Sequence, residues 1–192
     1  MGNVDEKIAK AINDYKTKSY GDIESGVFIK EEFIQFERVE FFEGQVGVML
    51  PKGYIDMPIE MQELKYPSVH RPQIIKCNEK GDVNFTFSLL NSPLEKSDVQ
   101  GTIKQIKKLI RKVQPSNVFH DEGTFEKEST TIGWFDYKSP TMDEPLFNIM
   151  YCASVNGKTL QGVFNVLYCE WKLWKDIMID VIGTIECKKI EK

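Results

Sequence analysis

The residues best suited to chemistry are His120 and the two acids that follow it, Asp121 and Glu122. An imidazole and two carboxylates at a strand end could bind a metal ion or exchange protons with a substrate. A catalytic metal site normally takes three protein ligands, however, and a short charged run is most often a solvated strand end. The cluster therefore gives only an alternative prediction, a small enzyme or a metal-binding protein.

The cysteines are the other potential ligands and nucleophiles, and no two of them are separated by only two residues: Cys77, Cys152, Cys169 and Cys187. This spacing excludes a zinc ribbon and a thioredoxin-like motif. The first ten residues, MGNVDEKIAK, do not resemble a signal peptide, so we expect reduced, mostly buried thiols and a cytoplasmic protein. Cys77 and His70 could form a nucleophilic pair, but nothing in the sequence marks Cys77 as an activated thiolate.

Phosphate chemistry is suggested only by Gly157-Lys158-Thr159, which matches the end of a P-loop. The glycine that a P-loop requires five positions earlier is replaced by Cys152, and the segment lies in a predicted hairpin turn. GxGxxG and GxSxG motifs are also missing from the sequence. We therefore predict no cofactor and no catalytic activity.

The composition is that of a globular protein with a mildly acidic balance. The chain has 192 residues, 25 lysines and arginines against 29 aspartates and glutamates, and a formal net charge of -4. This charge argues against general binding to nucleic acid or to an anionic membrane. No segment approaches the ~18 consecutive apolar residues of a membrane span. Hydrophobic residues make up 41%, which at this length supports one sizeable core.

Alternating and helical patterns predict an α+β protein in which one large antiparallel sheet is flanked by two amphipathic helices. The first helix is expected to begin after Ser97 or Asp98, and the second to span about 171–185. A further N-terminal helix is predicted for residues 3–17, followed by a linker at 19–26 that contains two glycines. The predicted domains are therefore 1–26, helix and linker, and 27–192, a single α+β domain. Strands are expected at 33–41, 45–50, 73–77, 83–90, 117–121, 130–137, 147–155 and 158–168.

The first of the two flanking helices has sharply different sides. Its apolar side is predicted to hold Val99, Ile103, Ile106, Ile110 and Val113. Its other side carries five positive charges and no acid: Lys104, Lys107, Lys108, Arg111 and Lys112. Such a side could contact an anionic surface, a membrane or an acidic partner segment. The favoured interpretation is a solvated outer face, and the basic side is retained as a secondary binding surface.

The clearest hairpin in the sequence has a two-residue turn at Asn156-Gly157, which suits a type I′ turn. Residues whose numbers sum to 313 should then pair across it. One face of this hairpin is almost wholly apolar, whereas the other mixes apolar residues with amides and hydroxyls; we call the second one the mixed face. The mixed face is predicted to bind a partner through Leu146, Asn148, Met150, Gln161, Val163, Asn165 and Leu167.

Two interpretations of the mixed face stay open at this point. If a helix or the loop at 54–72 covers it, the face is a second core layer. If it is left open, its apolar strip among hydrogen-bonding groups suits an apolar peptide or helix, with Met150 giving adaptability.

The order of these elements, with two short stretches, resembles the Mog/PsbP-like fold over about residues 38–186. The stretches are Gly47–Tyr54 (GVMLPKGY) and Asn84–Ser88 (NFTFS), and the amphipathic helix, the Asn-Gly hairpin and the closing helix follow. Within this fold the chain is most similar to bacterial DcrB-like proteins and to the Eag chaperones of secreted effectors. The resemblance implies a non-enzymatic binding or assembly protein, since the Eag group cradles apolar helices of its clients. The chain departs from PsbP and DcrB relatives in its N-terminal helix and in lacking their export or lipid signals.

Together these observations predict a non-catalytic, cytoplasmic binding or chaperone-like module that holds an apolar peptide or helix of a partner protein on its sheet. Besides the enzyme or metal-binding protein based on His120, a third possibility is a structural subunit whose mixed face is a homodimer seam.

Overall fold

The computed structural model describes Lys7 and residues 20–29 and 31–188. Apart from Lys7, the N-terminal helix predicted for residues 3–17 lies outside the described residues. Within them the helices are α1 (Ile59–Lys65), α2 (Val99–Val113) and α3 (Trp171–Gly183), with single 3₁₀ turns at Lys96–Asp98 and Tyr168–Glu170. None of these helices is long and apolar enough to cross a membrane.

The strands of the described residues form three antiparallel sheets. In chain order they are β1 (Tyr20–Asp22), β2 (Gly26–Ile29), β3 (Glu32–Ile34), β4 (Phe36–Phe41), β5 (Val46–Pro51), β6 (Ile55–Asp56), β7 (Ile74–Cys77), β8 (Asn84–Pro93), β9 (Val118–Glu126), β10 (Thr131–Ser139), β11 (Leu146–Val155), β12 (Lys158–Leu167) and β13 (Glu186–Cys187). The largest sheet has the order β6-β7-β8-β12-β11-β10-β9, and the smaller ones are β1-β2-β3 and β13-β5-β4. The α+β class is as predicted, but three sheets replace the single one, because alternation assigns residues to faces without naming the neighbouring strand.

The segment at 19–26 was expected to be a linker, and its described part is instead β1 and a tight turn. The carboxylate of Asp22 accepts hydrogen bonds from the backbone amide and the hydroxyl of Ser25, both at 2.7 Å. β1 then pairs with β2 in antiparallel register. Gly21 and Gly26 have positive φ values of 115° and 97°, so the two glycines shape a hairpin and do not mark a flexible connection.

The Asn156-Gly157 hairpin has the predicted turn and register. Both turn residues have positive φ, 50° and 76°, as a type I′ turn requires. Every pair between β11 and β12 sums to 313, from Val155 opposite Lys158 to Leu146 opposite Leu167.

Both faces of the seven-stranded sheet carry packed layers, which come from different parts of the chain. On the first face Phe85, Tyr151 and Phe164 share one core with β5 and with six buried residues of α3. On the second face, which includes the mixed face, α2 packs against β10 and β11. Farther along the same face, α1 and the loop after it pack against β7 through Met61 and Tyr66. The strip over β12 lies between these two covers.

Candidate functional site

Helix α2 covers the part of the mixed face that β11 provides. Val99 and Ile103 of the helix pack with Phe135, Met150 and Cys152 of the sheet. Only 8% of Met150 is exposed, and Cys152 is fully buried. Beneath α2 the mixed face is therefore a second core layer. Met150 could touch a partner only if α2 moved.

Two asparagines of the mixed face serve the fold, although they were predicted to hydrogen-bond a partner. The Asn148 amide nitrogen donates to the Ser139 hydroxyl at 2.9 Å. Asn165 accepts a hydrogen bond from Asn84 at 2.9 Å and donates one to the Tyr66 hydroxyl at 3.2 Å. Both side chains are more than nine-tenths buried, and a buried amide is stable only when such bonds are made.

Val163, also on the mixed face, is held by an unusual junction with β8. The Thr86 hydroxyl accepts a hydrogen bond from the Val163 backbone amide at 2.8 Å and donates to its carbonyl at 3.0 Å. The Thr86 carbonyl accepts from the hydroxyl of buried Tyr151 at 2.9 Å. Gly162 leaves room for this bond, since a Cβ there would lie 2.6 Å from the Tyr151 hydroxyl and overlap the Thr86 carbonyl. Side-chain hydrogen bonds thus fix the position of Val163.

Four members of the predicted site remain half-buried and within reach of a partner: Leu146, Gln161, Val163 and Leu167. Leu146 lies opposite Leu167, at the end of the hairpin farthest from its turn. Val163 packs against the edge of the cluster beneath α2. The open part of the mixed face is therefore continuous with one side of that helix.

Helix α2 has a basic flank and an apolar flank. The basic flank faces β9, because the Lys107 ammonium lies 2.8 Å from the Glu122 carboxylate and the Arg111 guanidinium lies 4.8 Å from the centre of the Phe119 ring. Residues three and four apart share one side of a helix, so a second flank faces β12. This flank holds Ile106, Leu109 and Val113.

This second flank and the hairpin border the same buried cluster, because Ile106 and Val163 both pack against it. The start of α2 is fixed where the Cys152 thiol contacts the Val99 carbonyl at 3.9 Å, and α2 runs antiparallel to β11. From Val99 to Val113 the helix advances about 21 Å, and β11 spans about 20 Å from Cys152 back to Leu146. The end of α2 therefore reaches about as far along the sheet as Leu146. We call the shared surface the apolar groove, and its members are Leu146, Val163 and Leu167 on the sheet and Ile106, Leu109 and Val113 on α2.

The helical part of the groove differs from the sequence-based assignment. Val113 was placed on the buried side of the helix, yet it is 69% exposed. Leu109, 60% exposed, was not recognised as a site residue. The sequence does contain a signal for Leu109: it is a leucine outside the apolar stripe of a helix whose outer side is otherwise basic.

The cluster at His120, Asp121 and Glu122 does not converge on one site. It lies on the edge strand β9, where successive side chains point to opposite faces. Asp121 bonds to Lys175 of α3, whereas Glu122 bonds to Lys107 of α2 on the other face. The hydrogen bond and charge of each lysine lower the pKa of its acidic partner. Within the described part of the chain, no three metal-ligating side chains come together.

The thiols are unpaired, and three of the four are buried, as expected from the sequence. Burial raises the pKa of Cys152 to about 12 and also raises the pKa of Cys77 and of Cys187. None of these three is thus a thiolate nucleophile at neutral pH. Cys169 is the exposed thiol.

The architecture is similar to that of two solved structures with different biological settings. Cyanobacterial PsbP from Synechocystis superposes with a TM-score of 0.57 at 12% identity, over 80% of this chain and 92% of that protein. The Ran-binding protein Mog1p of Saccharomyces cerevisiae superposes with a TM-score of 0.53 at 13% identity, over 80% of this chain and 96% of that protein. Neither a protein-family model nor a curated protein matches the sequence. The chain thus has a PsbP/Mog1-like fold, as the resemblance implied, and the DcrB-like or Eag-like subtype stays a prediction.

Proposed function

We propose that this chain is a non-catalytic, chaperone-like binding module that holds an apolar peptide or helix of a partner protein in the apolar groove. The observation that carries the proposal is the exposure of Leu109 and Val113 on one flank of α2, together with the half-buried Leu146 and Leu167 on the hairpin. A single exposed apolar side chain is ordinary on a protein surface. Several accessible apolar side chains contributed by two neighbouring elements are typical of a docking surface. The description of Mog1p as Ran-binding supports a protein as the partner.

The remaining members of the mixed face have separate roles in this proposal. Gln161 is half-buried and offers its amide to the backbone of the bound segment. Met150, Asn148 and Asn165 support the groove from beneath, since all three are buried. The unpaired thiols support a reducing compartment, and we propose the cytoplasm.

A photoreactive amino acid in the groove tests the proposal. Benzoylphenylalanine replaces Leu109 in one protein and Val118 in a matched control, because Val118 is an apolar residue of β9 with 52% exposure. Each protein is produced in its native cells and irradiated, and the adducts are identified by mass spectrometry. We expect a defined protein adduct from position 109 that position 118 does not give. The same adduct from both positions, or none from either, would contradict the proposal.

The captured partner is then purified, and its dissociation constant is measured with matched aspartate variants. Val113→Asp should weaken binding by about tenfold or more, because a valine buried in an interface contributes about 1.5–3 kcal/mol. Val118→Asp should leave the dissociation constant unchanged. Both residues are exposed, so both variants should melt close to the wild type.

A second copy of the chain is the competing occupant of the groove, and sedimentation equilibrium distinguishes it. We expect a monomer over the accessible concentration range. A dimer that Val113→Asp dissociates and Val118→Asp does not would assign the groove to self-association and contradict the proposed function.

A further inference from the structure

We infer that the cleft between helix α2 and strand β9 binds a phosphate monoester, with the phosphate held among the cations of the helix. This site is separate from the apolar groove, and the inference does not depend on the proposed function. It gives the protein a phosphorylated ligand in addition to a protein partner.

The basic flank of α2 forms one wall of this cleft. Its four cations follow a repeat of three and four residues, which places their side chains on one side of a helix. Together with one acid of β9 they line an open cleft of about 270 Å³: Lys104, Lys107, Lys108, Arg111 and Glu122. The basic side was expected to be a solvated outer face, whereas the structure places these cations in a concavity.

Much of the positive charge in the cleft is not neutralised by the protein itself. The Lys107 ammonium lies 2.8 Å from the Glu122 carboxylate. Over the described range of the chain, none of Lys104, Lys108 and Arg111 forms an ion pair. The hydrogen bond and charge of Lys107 lower the pKa of Glu122, and the charges of Lys104 and Arg111 add to this effect, so the cations act on a common point. An anion that entered the cleft would relieve their mutual repulsion.

Aromatic rings of the sheet support two of these cations. The Arg111 guanidinium lies 4.8 Å from the centre of the Phe119 ring on β9, and the Lys107 ammonium lies 5.8 Å from the centre of the Phe135 ring on β10. A guanidinium over an aromatic ring keeps its planar set of donors available, and this set matches two oxygens of a phosphate. Arg111 is therefore suited to orient a phosphate whose charge the lysines neutralise.

The charge of the cleft favours a dianion over a carboxylate. Glu122 already supplies one negative charge, which Lys107 neutralises. A second carboxylate would leave most of the charge of Lys104, Lys108 and Arg111 unbalanced. A phosphate monoester carries a charge of about −1.5 to −2 at pH 7 and three oxygens that accept strong hydrogen bonds, so it fits this set of cations better.

An adjoining hollow offers room for the organic part of the ligand. It has a volume of about 250 Å³ and shares Lys104 and Glu122 with the cleft. The other residues that line it are uncharged: Gln100, Ile103, Gly123, Thr124, Trp134 and Phe135. We therefore expect the phosphate to be esterified to an uncharged group with an apolar or aromatic surface.

Phenyl phosphate is the first probe, because it joins a phosphate to an uncharged ring. Isothermal titration calorimetry compares it with benzoate, which has a ring and a single charge, and with inorganic phosphate, which has no ring. The buffer is free of phosphate and low in salt, since exposed charges are screened by salt. We expect phenyl phosphate to bind more tightly than benzoate by about fivefold or more, and more tightly than inorganic phosphate.

Two lysines of one helix locate the phosphate. Lys108→Gln should weaken the binding of phenyl phosphate by about three- to tenfold, because it removes a cation from the cleft. Lys112→Gln is the matched control, since it removes the same charge one turn further along α2 from a residue that does not line the cleft. It should change the dissociation constant by less than about twofold. Both lysines are exposed, so both variants should fold.

Substitutions at Arg111 and Glu122 should have opposite effects on the binding of phenyl phosphate. Arg111→Gln should weaken it, and Arg111→Lys should recover only part of the loss, because an ammonium cannot make two parallel hydrogen bonds. Glu122→Gln should strengthen it, because the change removes a repelling charge and releases Lys107.

Vesicles distinguish a soluble ligand from a lipid headgroup with the same chemistry. Cosedimentation is measured with phosphatidylcholine vesicles with and without phosphatidic acid, whose headgroup is a phosphate monoester. Binding that requires phosphatidic acid and is lost in Lys108→Gln would identify the lipid as the source of the phosphate. Binding of phenyl phosphate without binding of the vesicles would identify a soluble ligand.

Four outcomes would count against the inference. A lack of phenyl phosphate binding would overturn it whatever the vesicles show, because a spread cationic surface would then explain any vesicle binding. Equal affinity for benzoate would remove the preference for a phosphate. Equal losses in Lys108→Gln and Lys112→Gln would reduce the effect to attraction by the whole helix. Equal affinity for inorganic phosphate would overturn the assignment of the adjoining hollow to the organic group. None of these outcomes bears on the apolar groove, whose test uses other residues.

Discussion

Tyr151 shows how one residue governs the packing of the sheet centre. The side chain is fully buried, and the residue directly opposite on β12 is Gly162. The missing side chain lets the Tyr151 hydroxyl reach the Thr86 carbonyl, while the Thr86 hydroxyl bonds to the Val163 backbone. Each of these buried polar groups therefore has a partner, and leaving one without a partner would cost about 1–3 kcal/mol.

Replacing Gly162 tests this arrangement. Gly162→Ala should lower the free energy of unfolding by about 2–3 kcal/mol, because the new Cβ displaces the Tyr151 hydroxyl or the β8 backbone. Gly101→Ala is the control: its Cβ would meet no atom within 4 Å, and alanine should stabilise α2 by up to about 1 kcal/mol. Urea denaturation followed by tryptophan fluorescence measures both. Similar effects at the two positions would refute the packing role of Gly162.

Cys152 makes stability depend on pH in the alkaline range. Burial raises its pKa from 9.0 to about 12, so the folded state favours the neutral thiol. The resulting stabilisation is complete below pH 9 and is lost as the pH rises from 9 towards 12, since only the unfolded chain ionises readily there. The free energy of unfolding should fall over this range, and less steeply in Cys152→Ala than in the wild type. Cys169→Ala, at the exposed thiol, should keep the wild-type slope.

At the scale of elements, α2 and the loop after α1 decide which part of the mixed face is open. The two elements lie far from the hairpin in sequence, and they leave the strip over β12 between them. Helix α2 is only partly inserted, because Val99 and Ile103 are its buried residues whereas Leu109 and Val113 face solvent.

Two separate alanine substitutions in α2 compare the contribution of a buried residue and of an exposed residue to the free energy of unfolding. Ile103→Ala should cost about 2–4 kcal/mol, the usual effect of removing a buried isoleucine side chain. Leu109→Ala should stay within about 0.5 kcal/mol of the wild type, because that side chain is 60% exposed. Thermal unfolding followed by circular dichroism makes the comparison. A large loss at Leu109 would mean that the apolar flank is part of a core and not a groove.

The elements also show how far sequence reasoning could reach. The turn at Asn156-Gly157 sets the hairpin register, so the seven predicted contact residues of the mixed face could be assigned to one side correctly. Whether that side is covered depends on α2 and Tyr66, whose placement is a tertiary property that local periodicity does not contain. For the same reason the two glycines at 21 and 26 suggested a linker, although strand pairing makes them part of a hairpin.

At the scale of the whole molecule, the seven-stranded sheet separates two packed layers whose helices bury different numbers of residues. The first core combines β5, the sheet and α3, and α3 alone contributes six buried residues. The second core depends on α2, which contributes two. The layer with the smaller buried surface should open with the lower free energy.

Hydrogen exchange tests this difference in local stability. The amides of α2 should exchange faster than those of α3 and of the paired strands β11 and β12, and exchange in α2 should not require global unfolding. Such an opening would expose Met150, which α2 covers in the folded state. Equal protection of α2 and α3 would show that the two layers form one cooperative unit.

The outermost strands of the seven-stranded sheet bear on how the protein avoids aggregation. An unpaired edge offers backbone donors and acceptors to any extended chain, and natural sheets discourage such growth with short or charged edge strands. One edge strand, β6, is only two residues long. The other edge strand, β9, carries His120, Asp121 and Glu122 within its length. Any strand that added to β9 would have to desolvate these acids and compete with the lysines that hold two of them. The three residues that first suggested catalysis thus place charge on an edge strand, a feature that disfavours the addition of further strands.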